Sequence, residues 1–584
     1  MRRAATPRGA VALAVALAVV LTVALAVALA VVPAYAGSAT PRGEAVTGRF
    51  AVGLRAGASP AAVAARVARL AGPGPGPGSS VESLAPIRAL VVRTSAPVAA
   101  RLARIPGVSW VEPVLSRQRR PAFSPGDPFA AQQWHLAADR TFDYWSQLTR
   151  LPALPGVRVA VIDSGIDLGH PDFKGRIAAA RSFVGPSAQD TDGHGTFVAG
   201  VIAAGVDDGV GVAGMAFPAQ LLIAKVVGRD GTISPETEAR AIRWAVLSGA
   251  RVINMSIGGL RDPRDSARDT YSRLEASAIA FAVSRGAVVV AAAGNADDAP
   301  ASPWPFASYP AALPHVIGVA ALTRKGDVSA FSDRDPVFVD IAAPGEGIVS
   351  VFPRALTATR PTCAEQGTSL CGPSEYSDAE GTSFAAPQVA AAIALVLSVR
   401  PRLTAAQAAA VVERSAVDVS AATGCRRCPL LRDGYTGWGA LDIENALRSL
   451  AGPLPPADAN EPNDDIAGAY PLWGLPRRIV ATLDYWDDPL DVYRVKLQAG
   501  QALVAALSGP EAVQTELSVW EAKTSSLDTT NGSAASRLLA SSAQLADSQR
   551  VVAVAPVTGL YLVAVRAARP GSGPYTLSVS RTRP

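Results

Sequence analysis

Between residues 121 and 452, apolar runs of strand length alternate with longer helix-like stretches. The order is VRVAVID then HGTFVAGVIAAG, LLIAKVV then PETEARAIRWAVLSG, RVINMSIGG then a helix ending near Gly286, followed by AVVVAAAGN, VIGVAAL and VFVDIAAPG. Alternation of this kind predicts an α/β fold, a parallel sheet with helices on both faces. In such sheets chemistry gathers beyond the carboxyl ends of the strands, so the polar residues that interrupt these runs are the candidates.

The flanks carry other patterns. Residues 37–120 read as a small α+β unit, with strands in RFAVGLR, RALVVRTS and VSWVEPV and helices in SPAAVAARVARLAG and APVAARLARIPG. A Gly/Pro stretch, Gly72 to Gly78, interrupts it, and the exposed run Arg117-Gln118-Arg119-Arg120 closes it near an accessible cutting point. After a stiff linker at 453–458, residues 459–584 show short alternating runs such as ATLDY, DVYRVKL, ALVAALS, YLVAVRA and YTLSVS, which predict an antiparallel β-sandwich. Residues 1–36 have a basic start, an apolar run from Ala10 to Val32 and the small-residue site Ala34-Tyr35-Ala36. That is the pattern of a secretory signal peptide. The run is also long enough for a membrane anchor, which takes about 20 residues, and the Ala-x-Ala site decides for cleavage and a secreted product.

Composition refines this picture. Hydrophobic residues make up 49% of the 584, enough for a large core. The formal net charge of +5 is unevenly placed: residues 1–120 carry +12, which leaves −7 for residues 121–584 and argues against a nucleic-acid partner. The four cysteines, Cys363, Cys371, Cys425 and Cys428, are even in number in an exported chain, which favours disulfides over a four-thiolate zinc site; three pairings stay open.

Amide hydrolysis needs a nucleophile, a base, a carboxylate to orient the base, and donors for the oxyanion. Of His135, His170, His194 and His315, only His194 sits in a glycine-flanked setting, Asp192-Gly193-His194-Gly195-Thr196, opening an apolar helix. Asp163 ends the buried strand VRVAVID, where a carboxylate requires a dedicated donor. Ser383, in Gly381-Thr382-Ser383-Phe384-Ala385-Ala386-Pro387, stands at a helix N-terminus, a position that suits a simple cap and equally aims N–H groups at an anion. Asn295 ends AVVVAAAGN and offers a side-chain amide.

Taken together, VAVIDSGID, DGHGTFVAG and GTSFAAP resemble the three signature segments of the subtilisin-like serine proteases. The resemblance implies a serine endopeptidase with the triad Asp163, His194 and Ser383 and with Asn295 in the oxyanion hole. It implies that Ser256, Ile257, Gly258 and Gly259 pair with extended substrate, with Ala293 and Gly294 on the opposite wall. Residues 121–452 are similar to a whole catalytic domain and residues 46–115 to its inhibitory propeptide. Residues 459–580, with Glu461-Pro462-Asn463-Asp464 and Asp491-Val492-Tyr493, resemble a pre-peptidase C-terminal domain. No cofactor is implied for catalysis; structural calcium is, at Asp172 and Asp208. The expected partners are protein or peptide substrates and the chain's own propeptide, with no membrane once the leader is cut, and the expected state is a monomer. The walls, together with Ser308, carry no charge, so apolar or aromatic side chains are expected before the scissile bond.

Overall fold

The computed structural model describes residues 45–55, 57–71, 81–84, 88–115, 123–228, 230–296, 299–357, 375–455 and, with short interruptions, 458–582. The leader 1–36, the stretch 72–78, the arginine cluster 117–120, Cys363 and Cys371 lie outside the described residues. The chain divides into two compact units, Met1–Arg120 and Pro121–Pro584.

In the first unit, β1 (Ala45–Leu54), α1 (Pro60–Ala71), β2 (Val81–Leu84), β3 (Ala89–Arg93), α2 (Ala96–Leu102) and β4 (Val108–Leu115) make an antiparallel sheet in the order β2-β3-β1-β4. Helix α1 buries Val63 and Val67, one turn apart on a single face. They pack with Val52, Leu90, Val92, Leu102 and Val108 into a small core.

The second unit is built on seven parallel strands, β5 (Val157–Asp163), β6 (Ile177–Ser182), β7 (Ala219–Lys225), β8 (Val252–Met255), β9 (Val288–Ala292), β10 (Val316–Leu322) and β11 (Ile341–Pro344). Their order is β11-β10-β9-β8-β5-β7-β6. Besides a single turn at Trp134–Ala138, the helices are α3 (His194–Ala203), α4 (Pro235–Leu247), α5 (Arg273–Ser284), α6 (Thr382–Val399), α7 (Ala405–Arg414) and α8 (Ile443–Ser449). Strand side chains alternate between two cores: Val159 and Val161 join α3, α6, α7 and α8, whereas Ala160 and Ile162 join α4 and α5. Both faces of the sheet are therefore dry, which is why its strands read as unbroken apolar runs. The exception is the edge strand β6, IAAARS, half-exposed along its length and not expected from its sequence.

A short antiparallel pair, β12 (Ile348–Val351) and β13 (Tyr376–Ala379), leads into α6. The remaining strands form the C-terminal sandwich: β14 (Tyr470–Pro471), β15 (Arg477–Asp484), β16 (Leu490–Leu497), β17 (Ala502–Ser508), β18 (Thr515–Trp520), β19 (Leu538–Gln544), β20 (Ser548–Val554), β21 (Gly559–Ala567) and β22 (Ser572–Arg581). Its sheets run β14-β16-β21-β18-β19 and β15-β22-β17-β20, antiparallel except where β14 meets β16. Between them Tyr493, Val495, Leu517 and Val563 interdigitate with Leu503, Ala505, Leu577 and Val579.

The sandwich seats on the α/β body through few but specific contacts. Trp438 packs on Tyr485 at 5.1 Å between ring centres and donates its Nε1–H to Trp486 O at 3.3 Å. Arg414 pairs with the buried Asp484 and lies 4.7 Å over the Trp486 ring. His315 Nδ1 lies 2.8 Å from Asp464 Oδ2. Near the sheet edge, Cys425 and Cys428 are joined in a disulfide.

Candidate active site

Asp163, the last residue of β5, is buried, and its carboxylate faces His194 Nδ1 with both oxygens, at 2.9 and 3.1 Å. The imidazole stands at the first position of α3, delivered by Gly193 at φ +114, a left-handed conformation that favours glycine. Gly195 is fixed for a second reason: a Cβ there would meet Gly165 O at 2.4 Å. Burial lowers the His194 pKa, but Asp163 beside it, joined by Asp192 and Asp190, outweighs this and raises it to about 9.

A second buried acid, Asp190, organises the turn that presents His194. Its Oδ1 accepts the Ser164 hydroxyl at 2.9 Å and the N–H groups of Asp192 and Gly193 at 3.0 Å. Its Oδ2 accepts Thr196 N–H at 2.9 Å and the Thr196 hydroxyl at 2.6 Å. The sequence reading did not single it out, because an acid in Gln189-Asp190-Thr191-Asp192-Gly193 reads as ordinary turn chemistry.

Ser383 is the second residue of α6, and Phe384 beside it packs on the His194 ring at 5.4 Å. The Ser383 hydroxyl donates to Ser256 O at 3.1 Å. Asn295 follows β9, and its Oδ1 accepts both the N–H and the hydroxyl of Thr382, at 3.0 and 2.9 Å. A backbone N–H only donates, so the atom it meets is the oxygen, and the Asn295 Nδ2 turns the other way, towards Gly381.

The expected walls come together. Gly259 pairs with Tyr309 in both directions at 2.9 Å, and Ser308 N–H donates to Ala293 O at 2.7 Å. Asn254 Nδ2 holds the Ser256 hydroxyl at 3.0 Å, while Ile257 packs on the core beneath α4 and α5. Gly294, at φ +110, leaves no room for a side chain, since a Cβ would meet Asp333 Oδ2 and Ser308 Oγ at 2.3 Å. The wall residues themselves carry no charge; behind them the buried carboxylate of Asp333 accepts the Ser308 hydroxyl at 3.3 Å.

Asp172, in the short turn Pro171–Phe173, packs against the loop after α3 that carries Asp208, its backbone oxygen accepting Gly205 N–H at 2.8 Å. Burial pushes its carboxyl up to about 6 against hydrogen bonds from Val212 N–H and the Tyr376 hydroxyl, and Asp208 and Asp127 add to the rise. Asp127 in turn accepts the N–H groups of Asp207, Asp208 and Gly209. Asp127, Asp172 and Asp208 offer only oxygen donors, the kind a hard cation takes, and their carboxylates already accept N–H groups of Asp207, Asp208, Gly209, Val210 and Val212 and the Tyr376 hydroxyl.

A parallel sheet covered on both faces, with a carboxylate–imidazole pair and a serine at a helix N-terminus beyond its strand ends, defines a serine hydrolase. Residues 155–439 match the Subtilase family, Peptidase S8. Thermitase from Thermoactinomyces vulgaris is 32% identical over 280 residues, 47% of this chain and 86% of that protein. Subtilisin BL from Lederbergia lenta is 38% identical over 248 residues, 42% and 78% of the two chains. The major intracellular serine protease of Bacillus subtilis (strain 168) is 35% identical over 249 residues, 41% and 68%. The chain belongs to the subtilase family and is a serine endopeptidase.

Proposed function

We propose that the chain is a secreted endopeptidase made as a precursor, in which Ser383 attacks the substrate carbonyl and His194 takes its proton. Above the raised His194 pKa the ring is neutral, and Asp163 then holds it in the tautomer that leaves Nε2 free to accept, so activity rises towards alkaline pH. Asn295 Nδ2 and the N-terminus of α6 receive the negative charge that develops on the carbonyl oxygen. The proton then passes from His194 to the leaving amine, and water releases the acyl-enzyme by the same path in reverse.

Substrate binding prepares the nucleophile. An extended peptide adds as a strand along Ser256, Ile257, Gly258 and Gly259, with Ala293 and Gly294 opposite. Its N–H competes for Ser256 O, the acceptor that holds the Ser383 hydroxyl. Displacement turns the hydroxyl towards His194, so substrate itself completes the relay. Asp333 is fully buried and shielded by Ser308, so the pocket surface stays uncharged and favours apolar or aromatic side chains. A cleavage profile dominated by Arg or Lys would instead mean that Asp333 reaches the substrate.

Residues 1–36 serve as the export signal and residues 37–120 as an inhibitory propeptide, whose +9 charge is drawn to the −7 of the remainder. The mature enzyme acts as a monomer, with calcium at Asp127, Asp172 and Asp208 bracing the loop near α3 without entering the chemistry.

The observation that carries this reading is the Asp163–His194 contact, with the His194 ring packed on Phe384 beside Ser383 and with Thr382 bonded to Asn295. A fluorophosphonate probe tests it: wild-type protein is labelled and Ser383→Ala is not. On a peptide substrate Ser383→Ala loses about 10⁶ in kcat and Asn295→Ala about 10²–10³. Folded, mature wild type that resists the probe would overturn the proposal.

A further inference from the structure

The loop between α7 and α8 ends in an apolar tip that proteolysis does not use. Leu430 and Leu431 follow Pro429 there, with 73% and 66% of their surface exposed. A single exposed leucine is ordinary, but two in succession on a loop tip ask for a partner. Val337, 60% exposed, stands at the base of the tip, its carbonyl accepting Arg432 Nη2–H at 2.8 Å.

The fold holds this tip outward from both sides. Behind it, the Cys425–Cys428 disulfide is sunk in a small core with Leu322, Val328, Val339 and Val419. Ahead of it, the Arg432 guanidinium also donates to Pro336 O at 2.6 Å and to Asp340 Oδ1 at 2.9 Å. Between these anchors Leu431 has φ +69, a left-handed conformation that a leucine rarely adopts. Backbone strain is therefore maintained where its visible result is an apolar side chain facing water, and strain of that kind points to a use.

The charge beside the tip opposes that of the surrounding chain. Residues 121–584 sum to −7, yet the disulfide loop displays Arg426 and Arg427, and Lys325 adjoins it, since a Cβ on Gly424 would meet Lys325 O at 2.1 Å. All three cations are exposed. The neighbouring acids are engaged: Asp327 lies 3.6 Å from Arg427, and Asp340 holds Arg432.

We propose that the tip docks on an anionic lipid surface, with Leu430 and Leu431 entering the interfacial layer and Arg426, Arg427 and Lys325 meeting the headgroups. An apolar anchor or a basic patch alone binds membranes weakly, whereas the two signals together on one braced loop give reversible attachment. A nucleic acid would engage the cations and leave the leucines in water. The expectation of no membrane after loss of the leader concerned the apolar run 10–32; the tip is a separate feature that folding assembles.

The test follows amide hydrogen exchange at residues 430–432 in the full chain carrying Ser383→Ala, which prevents self-digestion. The Leu430 and Leu431 amides donate to no described backbone group, so they exchange fast in the free protein. Phosphatidylcholine vesicles with about 30% phosphatidylglycerol are expected to slow them at least fivefold, and phosphatidylcholine alone to leave them unchanged. Arg426→Gln with Arg427→Gln should weaken the binding that protects the tip about 25-fold, near fivefold for each charge. Leu430→Ser with Leu431→Ser should weaken it about tenfold or more. Attachment through residues 1–120 does not register, because the readout sits at the tip. Should either double variant lose its native circular dichroism, Lys325→Gln takes its place, with about a fivefold loss expected. Tip amides that exchange at one rate with and without anionic vesicles, or protection that survives these changes, overturn the proposal. Slowing by heparin with none from vesicles would assign the tip to an anionic polymer and overturn it as well. Fluorophosphonate labelling of wild type is read independently, so failure of the hydrolase chemistry and failure of this surface give different results.

Discussion

Thr382 fixes the direction of Asn295: its N–H and hydroxyl both donate to Asn295 Oδ1, while the same hydroxyl accepts the Gly294 N–H at 3.2 Å. One threonine thereby couples an amide donor to a wall of the substrate cleft.

Removing that hydroxyl should loosen the amide without removing it. Thr382→Val is expected to lower kcat about tenfold, the worth of one hydrogen bond near 1.4 kcal/mol, with KM little changed, and Thr382→Ser should restore most of the rate. Steady-state kinetics on a short peptide decide it. Equal loss in the serine and valine variants would mean that shape, not the hydroxyl, matters.

Asp190 gathers two hydroxyls and three N–H groups around the turn before α3. Asp190→Ala should displace His194 and cost about 10² in kcat/KM, the scale of an ångström of misplacement, together with a lower Tm. Measuring both in the same preparation is the check. An unaltered rate in a destabilised protein would confine Asp190 to a structural part.

Acid should destabilise the fold through histidines far from the chemistry. His135 is fully buried with neither ring nitrogen bonded, and burial lowers it to about 3; burial likewise lowers His170 to about 4. The unfolded chain takes up these protons near pH 6.5, so the stability is fully present above that pH and drains away as pH falls towards 3–4. His135→Phe is expected to flatten the acid limb of Tm against pH. An unchanged limb would shift the blame to the carboxylates.

Alkali should act through a different pair. Glu238 on α4 and Glu275 on α5 are both buried; burial raises both carboxyls, to about 8 and about 7, and Glu275 raises Glu238 further. The folded state holds their protons at neutral pH, so this stability is present below about pH 4.5 and is lost as pH rises through 7–8. Glu238→Gln keeps the shape without the charge and should raise Tm at pH 9–10 by about 2–4 °C. No gain at that pH counts against the pair.

Much of the fold was legible because the sheet is covered on both sides. Strand β5 reads VRVAVID since Val159 faces one core and Ala160 the other. Strand β6 was missed because an edge strand buries only half of itself, leaving IAAARS without a period. Asp163, His194, Ser383 and Asn295 stand out in the sequence as candidates through their local settings, glycines and helix starts. Asp190, Asp127 and Asp333 were not, because each lies in a polar loop and gains its part only from residues brought to it by folding. The joint between Trp438 and Trp486 left no local trace at all, being a contact between two exposed-looking aromatics on separate domains.

In the proposed mechanism the reacting groups come from the ends of β5 and β9 and the beginnings of α3 and α6, and Ser383 is the last of them in the chain. During synthesis, every shorter nascent chain would therefore lack that nucleophile, however well its first strands have formed. The order in which the ribosome delivers the pieces is itself a safeguard: the cell meets a working blade only after most of the catalytic body has left the tunnel.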